Sequence, residues 1–275
     1  MRTETDPLGL QREALRRRAR GETIGFVPTM GYLHEGHTSL MTIARERCDW
    51  LVASIYVNPL QFGAGEDLDR YPRDLKGDAH KCEKAGVDLI FVPDTLYADD
   101  HSTTIAVDKL TTGLCGASRP GHFNGVTTVV ARLFGLIQPH VAVFGEKDYQ
   151  QLAVIRRMVR DLAMPIEVVG GPLVRDDDGM ALSSRNAYLS PEARLRGRSL
   201  SQAMFTMQRL AQEGETSAKL ILDAGQQVLQ VDRLDYLQVV DAHTLAPIAV
   251  LDRPARAMVA AWMGATRLID NVDLA

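Results

Sequence analysis

Short apolar runs alternate with helix-patterned stretches over the first two thirds of the chain. Runs at residues 24–27, 50–57, 87–92, 141–144 and 166–169, rich in β-branched and aromatic residues, each predict a strand. Between them, stretches 38–47, 74–85, 126–137 and 150–162 carry apolar residues at helical spacing, with Gly86 and Pro165 as stop signals. Strand and helix in alternation predict an α/β fold, a Rossmann-like doubly wound parallel sheet whose ligands bind outside the carboxyl ends of the strands. Polar segments 29–37, 58–62 and 145–151 each follow a predicted strand, so they are expected to converge on one crevice.

The pattern changes after Leu173. Residues 175–179, RDDDG, read as an exposed acidic turn, solvated rather than metal-binding. Beyond it come helical stretches at 191–212 and 217–231 and strand-like runs at 236–240, 257–262 and 267–269. Two domains are expected: residues 1–173 as the Rossmann-like domain, and 174–275 as a smaller α+β C-terminal domain acting as a lid.

Composition fits a globular chain of that size, with 275 residues, 45% hydrophobic and 24% charged. The formal net charge of −4, with no basic tract interleaved with aromatics, argues against a nucleic-acid partner. The Arg-rich stretch 11–20 reads as a solvated helix face. Cys48, Cys82 and Cys115 are odd in number and widely spaced, which suits neither a disulfide framework nor a cysteine zinc site. The first residues are polar where a secretory signal would be apolar, and the longest apolar stretch, 257–265, is short of a bilayer span. No membrane partner is expected, and the cytoplasm is the expected compartment.

Candidate chemistry concentrates in the three polar segments. PTMGYLHEGH, residues 28–37, places His34 and His37 at a turn between a strand and a helix, where unpaired backbone N–H groups and the macrodipole favour an anion. For a His-x-x-His taken alone, a zinc pair, a cap or plain packing is the commoner role. GEKDYQQ, residues 145–151, is either an ordinary strand end or a nucleotide contact, with Lys147 neutralising phosphate and Asp148 accepting ribose hydroxyls. LSSRN, residues 182–186, is either a plain cap turn or a mobile loop offering two hydroxyls and a guanidinium to phosphates.

Read together with IYVNPLQFG (55–63), YPR (71–73) and RPGHFNGV (119–126), these motifs occur in an order and spacing that resemble the pantoate–β-alanine ligases, within the His-x-Gly-His nucleotidylyltransferase superfamily. The similarity runs from about residue 23 to 189; the C-terminal part matches mainly through TRLIDN, residues 266–271. The resemblance implies ATP-dependent condensation of pantoate with β-alanine through a pantoyl adenylate, releasing AMP and pyrophosphate. It implies catalytic roles for His34, His37, Lys147, Ser183, Ser184 and Arg185. ATP would be bound by Met30, His37, Gly145, Lys147, Asp148, Val174, Leu182, Ser183, Ser184 and Arg185, and pantoate by Met30, Gln61 and Gln151. Asp78 would lie near the Mg²⁺ that accompanies ATP. Leu182 stands where the family often has Met, and Gly77 where many relatives carry an acid. Arg119 and His122 match a family motif with structural and catalytic roles equally open. A homodimer is implied as well, with the apolar stretch 126–137 as its physical support.

Two other readings compete. One is a different nucleotidylyltransferase of the superfamily; the Gln61 and Gln151 pair, suited to a small polyol acid, argues against it. The other is a non-catalytic metal-binding α/β module, which needs a third ligand near His34 and His37.

Overall fold

The computed structural model describes residues 1–274, which divide into two compact units. The first comprises Met1–Thr111, Arg119–Glu146 and Gln151–Pro172; the second comprises Thr112–Ser118, Lys147–Gln150 and the chain from Leu173 onward.

The first unit is built on six strands: β1 (Arg2–Glu4), β2 (Ile24–Thr29), β3 (Trp50–Ile55), β4 (Leu89–Phe91), β5 (Val141–Gly145) and β6 (Glu167–Gly171). All pair in parallel, in the order β1-β4-β3-β2-β5-β6. From β2 the chain builds outward through β3 and β4, then returns to the other side of β2 for β5 and β6. The order therefore reverses between β2 and β5, the position where a parallel sheet opens a crevice. Helices α1 (Pro7–Ala19), α2 (Glu35–Arg45), α3 (Leu75–Lys84), α4 (Cys115–Ser118), α5 (His122–Ile137) and α6 (Tyr149–Asp161) follow in chain order; α4 and the first two residues of α6 count with the second unit.

Strand alternation assigns side chains to the two faces. Val27, Leu51, Ala53, Ile90, Val141 and Val143 pack with Leu40, Met41 and Ala44 of α2 and with Cys82 of α3. On α5, Phe134 meets Phe26 and Phe144 edge-on, with ring centroids 6.3 and 6.4 Å apart. Each fully buried side chain of this size contributes roughly 1.5–3 kcal/mol.

Two elements differ from expectation. Strand β1 has the polar sequence Arg-Thr-Glu and pairs with β4 at the sheet edge, where neither face demands an apolar pattern. It leads into α1, whose Asp6 cap accepts from Leu8 N and Gly9 N and whose first residue is Pro7. Helix α5 starts at His122, four residues earlier than the apolar pattern indicates, after Gly121 at φ +82°. Its Val126, Val129, Val130, Leu133, Phe134, Leu136 and Ile137 are all buried within the unit, against α1, β2 and the turn at Pro59–Gln61. The apolar excess in 126–137 is thus used up by the core and does not argue for a partner surface.

The second unit contains α7 (Pro191–Gly197), α8 (Ser199–Gln212), α9 (Ala218–Val228) and an antiparallel sheet of β7 (Arg233–Asp241), β8 (Ala255–Met263) and β9 (Thr266–Asp273). Its core gathers Met204, Met207, Ile221, Val239, Val259 and Leu268. The single helix expected over 191–212 is two, parting at Gly197. A Cβ there would sit 3.1 Å from Met180 Cε and 3.4 Å from Leu268 Cδ1, so close packing claims a residue that is also a poor helix former. Among the described residues no helix is long and apolar enough to cross a membrane.

Candidate active site

Strand β2 ends at Thr29, whose hydroxyl donates to Ser54 O at 2.7 Å and so ties the ends of β2 and β3 together. The chain then turns through Gly31 at φ +87° and Tyr32 at φ 51°. A Cβ on Gly31 would lie 3.0 Å from both Asp78 Oδ2 and Ile55 Cγ2, so the turn needs glycine for its backbone angle and for space. Asp78, in the first turn of α3, holds the loop: its carboxylate accepts from Tyr32 N at 2.8 Å and Leu33 N at 2.7 Å. Lys81, one turn on, donates to Leu33 O at 2.7 Å. Asp74 caps α3 by accepting from Gly77 N at 3.0 Å, and a Cβ on residue 77 would displace the Asp74 carboxylate from that position.

This loop delivers His34 as the N-cap of α2 and His37 in its first turn. The rings lie 4.1 Å apart, centroid to centroid, tilted by 44°. His34 N donates to His37 Nδ1 at 3.3 Å. A ring nitrogen that accepts a backbone N–H carries no proton, so the neutral His37 ring holds its proton on Nε2 as a donor. Two imidazoles at the positive end of α2 form a setting for phosphate oxygens.

After β3 a short turn, Pro59–Gln61, presents Gln61. Its amide oxygen accepts from Asn58 Nδ2 at 3.1 Å and its Nε2 lies 3.2 Å from Met30 Sδ. Asn58 is 1% exposed and fully engaged: Nδ2 also donates to Gly125 O at 3.1 Å, and Oδ1 accepts from Tyr97 Oη at 2.9 Å. Gly125 of α5 is pressed against this turn; a Cβ there would fall 2.2 Å from Leu60 O and 2.6 Å from Gln61 N.

Arg119 and His122 grip the same turn from the other side. His122 Nδ1 is 2.8 Å from Gln61 O, which only accepts, so Nδ1 carries the proton. Its Nε2 then accepts from Arg119 Nη1 at 2.9 Å. Arg119 also forks onto Glu66 at 2.7 and 2.6 Å. Burial pushes the Glu66 carboxyl up, but hydrogen bonds and charge from Arg119 more than offset it and hold it below its usual value. The clamp gives Arg119 and His122 a positioning role toward Gln61. Asn58 and Glu66 were missed from sequence; the signal present was their place within or beside the NPLQFG motif.

In the second unit, Lys147 and Asp148 form a short turn at Glu146–Asp148, with Lys147 Nζ 3.6 Å from Asp148 Oδ2. Residues 174–182 make a tight hairpin: Leu182 N donates to Val174 O at 3.0 Å, Asp176 N to Met180 O at 2.8 Å, and Gly179 turns at φ +85°. The predicted acidic turn is its tip, where Asp176 and Asp178 both pair with Arg194. Ser183 follows as the cap of a 3₁₀ turn, Ser184–Tyr188, accepting from Arg185 N at 3.3 Å; Ser184 is buried. Leu182, Ser183, Ser184 and Arg185 are thus carried together on one turn. Gly145 closes β5 opposite Gly171 of β6, and Gln151 lies in the first turn of α6.

Asp78 does not fit the magnesium role implied for it. It is 1% exposed, and each oxygen is already committed to a backbone N–H. Burial pushes its carboxyl up, with those N–H groups opposing. Such a carboxylate anchors a loop. Among the described residues no three His, Cys, Asp or Glu side chains converge as a metal cluster around His34 and His37 either.

Residues 4–273 match the family model described as pantoate-beta-alanine ligase. A pantothenate synthetase of Pseudomonas entomophila is 52% identical over 271 residues, covering 96% of this chain and 94% of the relative. That of Anaeromyxobacter dehalogenans is 51% identical, with 97% and 96% covered. The crystal structure of pantothenate synthetase from Thermus thermophilus superposes with a TM-score of 0.95 at 49% identity, over 100% of this chain and 99% of that one. The Francisella tularensis ligase, described as a complex with β-γ ATP and β-alanine, gives 0.80 at 29% identity over 100% and 98%. With nearly the whole length matched at about half identity and the same fold, the chain belongs to the pantoate–β-alanine ligase family.

Proposed function

We infer that this chain condenses pantoate with β-alanine using ATP, forming pantothenate, AMP and pyrophosphate by way of pantoyl adenylate. The observation that carries the reading is the Gln61 turn. A carboxamide held by Asn58, beside the thioether of Met30, offers hydrogen bonds and an apolar wall to a small branched hydroxy acid. Family membership over the full length supports the overall ligation.

A free carboxylate is a poor acyl donor. In the first step a pantoate carboxylate oxygen attacks the α-phosphorus of ATP, the bond to the β-phosphate oxygen breaks, and pyrophosphate leaves. In the second the β-alanine amine attacks the activated carbonyl, loses a proton and expels AMP. The protein's task is to hold two anions together and stabilise charge on departing pyrophosphate. We assign His37, through Nε2–H, and His34 to the phosphates, with Lys147, Ser183, Ser184 and Arg185 as further donors. Gly145 and Asp148 are assigned to the ribose, Val174 and Leu182 to the adenine side, and Gln61 and Gln151 to pantoate. Magnesium enters with ATP, on phosphate oxygens and water, as this ion usually does; Asp78 is assigned to the loop.

A homodimer rests on family resemblance alone; sedimentation at micromolar concentration giving a monomer removes it. We place the reaction in the cytoplasm, a reducing compartment that suits three free thiols. The reading is tested by mass identification of products from ATP, Mg²⁺ and pantoate, with and without β-alanine. Pyrophosphate and enzyme-bound pantoyl adenylate are expected without the amine, and pantothenate with AMP when it is added. Formation of a dinucleotide, or no ATP turnover, overturns it.

A further inference from the structure

The motif TRLIDN, residues 266–271, lies on β9, and none of its side chains has a role in the chemistry above. Two of them, Asp270 and Asn271, are each 3% exposed and polar, so their partners are informative. Asn271 Nδ2 donates to the backbone carbonyl of Lys147 at 2.9 Å. Its Oδ1 accepts from Arg256 Nη1, and the Arg256 guanidinium stacks 3.9 Å above the ring of Tyr149. Tyr149 Oη in turn donates to Ala242 O at 3.0 Å. Asp270 takes a two-pronged contact from Arg175 at 2.7 and 2.9 Å, and Arg175 Nη1 also donates to Gly179 O at 3.1 Å inside the hairpin that leads to Ser183 and Ser184. The neighbouring residues of one strand therefore reach, through part-buried hydrogen bonds, the lysine turn and the hairpin that leads into the serine loop.

We propose that Asn271 is a positioning residue for adenylation: its amide donor fixes the backbone of Lys147, and with it the place of the ammonium against the ATP phosphates. The proposal rests on the assignment of Lys147 to those phosphates. Asn and Asp differ here in one respect. An aspartate at 271 keeps an acceptor for Arg256 and turns the donor facing Lys147 O into a second acceptor, so Asn271→Asp breaks one contact and retains the other. A buried glycine or apolar residue would lose both.

The experiment is a cycle of four proteins: parent, Asn271→Asp, Lys147→Ala and the double variant. The readouts are single-turnover adenylation rate, KM for ATP and for pantoate, and thermal midpoint. Displacing a reacting partner's support by about 1 Å typically lowers a rate on the order of 10²-fold. Asn271→Asp is expected to slow adenylation about 10- to 100-fold and leave the KM for pantoate unchanged. Its midpoint should stay within about 4 °C. In the Lys147→Ala background the same change should add less than about 3-fold, since it acts through the lysine. Multiplicative losses, or a parental rate for Asn271→Asp, overturn the proposal. A parental rate for Lys147→Ala overturns instead the assignment of the lysine on which it rests. Should the carboxylate lower the midpoint further than stated, Asn271→Ala takes its place in the cycle, with the same two criteria applied at a temperature where it is folded.

Discussion

At the scale of single residues, the proposed assignment divides the candidate residues into groups aimed at ATP and groups aimed at the acid, and the two sets should fail differently. Replacing His34 or His37 by alanine removes a preorganised donor to a developing anion, which typically lowers rate about 10²- to 10³-fold. Single-turnover adenylation should fall by that amount with an unchanged circular dichroism spectrum, and an unaltered rate would return the pair to a packing role. Replacing Gln61 or Gln151 by alanine should weaken pantoate about 5- to 150-fold, the equivalent of about 1–3 kcal/mol for a lost hydrogen-bond partner. ATP binding should change far less; calorimetry showing equal weakening of both substrates would contradict the division.

The Glu66 carboxylate gives a pH signature of its own. Its folded value lies below the ordinary 4.5 because Arg119's hydrogen bonds and charge outweigh burial. A lowered carboxylate contributes stability that is fully present above the unfolded value and is lost as pH falls through the folded one. Denaturation midpoints of parent and Glu66→Gln should thus differ above pH 4.5 and converge below it; a constant difference would mean that the Arg119 pairing is not responsible. Sequence singled out His34 and His37 because they sit in one contiguous motif whose setting follows from a strand, a turn and a helix start, and it singled out Gln61 through the family resemblance. It did not reach Asn58 or Glu66. Their partners, Gly125 and Arg119, lie 67 and 53 positions away and are neighbours only once α5 is packed.

At the scale of elements, α5 carries the tightest constraint. Its Gly125 leaves no room for a methyl group against Leu60 and Gln61, whereas Gly135, ten positions further on, faces open space on the same helix. Gly125→Ala should destabilise by about 1–3 kcal/mol or more, as overpacking does, and should weaken pantoate because the Gln61 turn must move. Gly135→Ala should be neutral or gain up to about 1 kcal/mol from helix propensity. Urea denaturation compares the two, and similar values for both would mean that the turn yields freely. The strands of both sheets, β1 apart, were legible from their apolar runs. Strand β1 was not, since three polar residues at a sheet edge carry no periodic signal. The start of α5 was also hidden, because His122 is a polar residue whose ring is held by the Gln61 turn rather than by the core.

At the scale of the whole molecule, composition and motif order carried the reading of fold and reaction together, and full-length similarity supports both. The family resemblance placed Asp78 near magnesium, a role its surroundings do not fit. A carboxylate in the first turn of α3 reads as a metal ligand until its two backbone partners are seen, and those exist only when the loop after β2 folds back over α3. The central claim is that the acid is activated as an acyl adenylate. Pantoate labelled with ¹⁸O in its carboxylate, incubated with the chain, ATP, Mg²⁺ and β-alanine, tests it most directly, with products analysed by mass. One labelled oxygen is expected in AMP and none in pyrophosphate; label in inorganic phosphate, with ADP as the nucleotide product, would rule out the acyl adenylate.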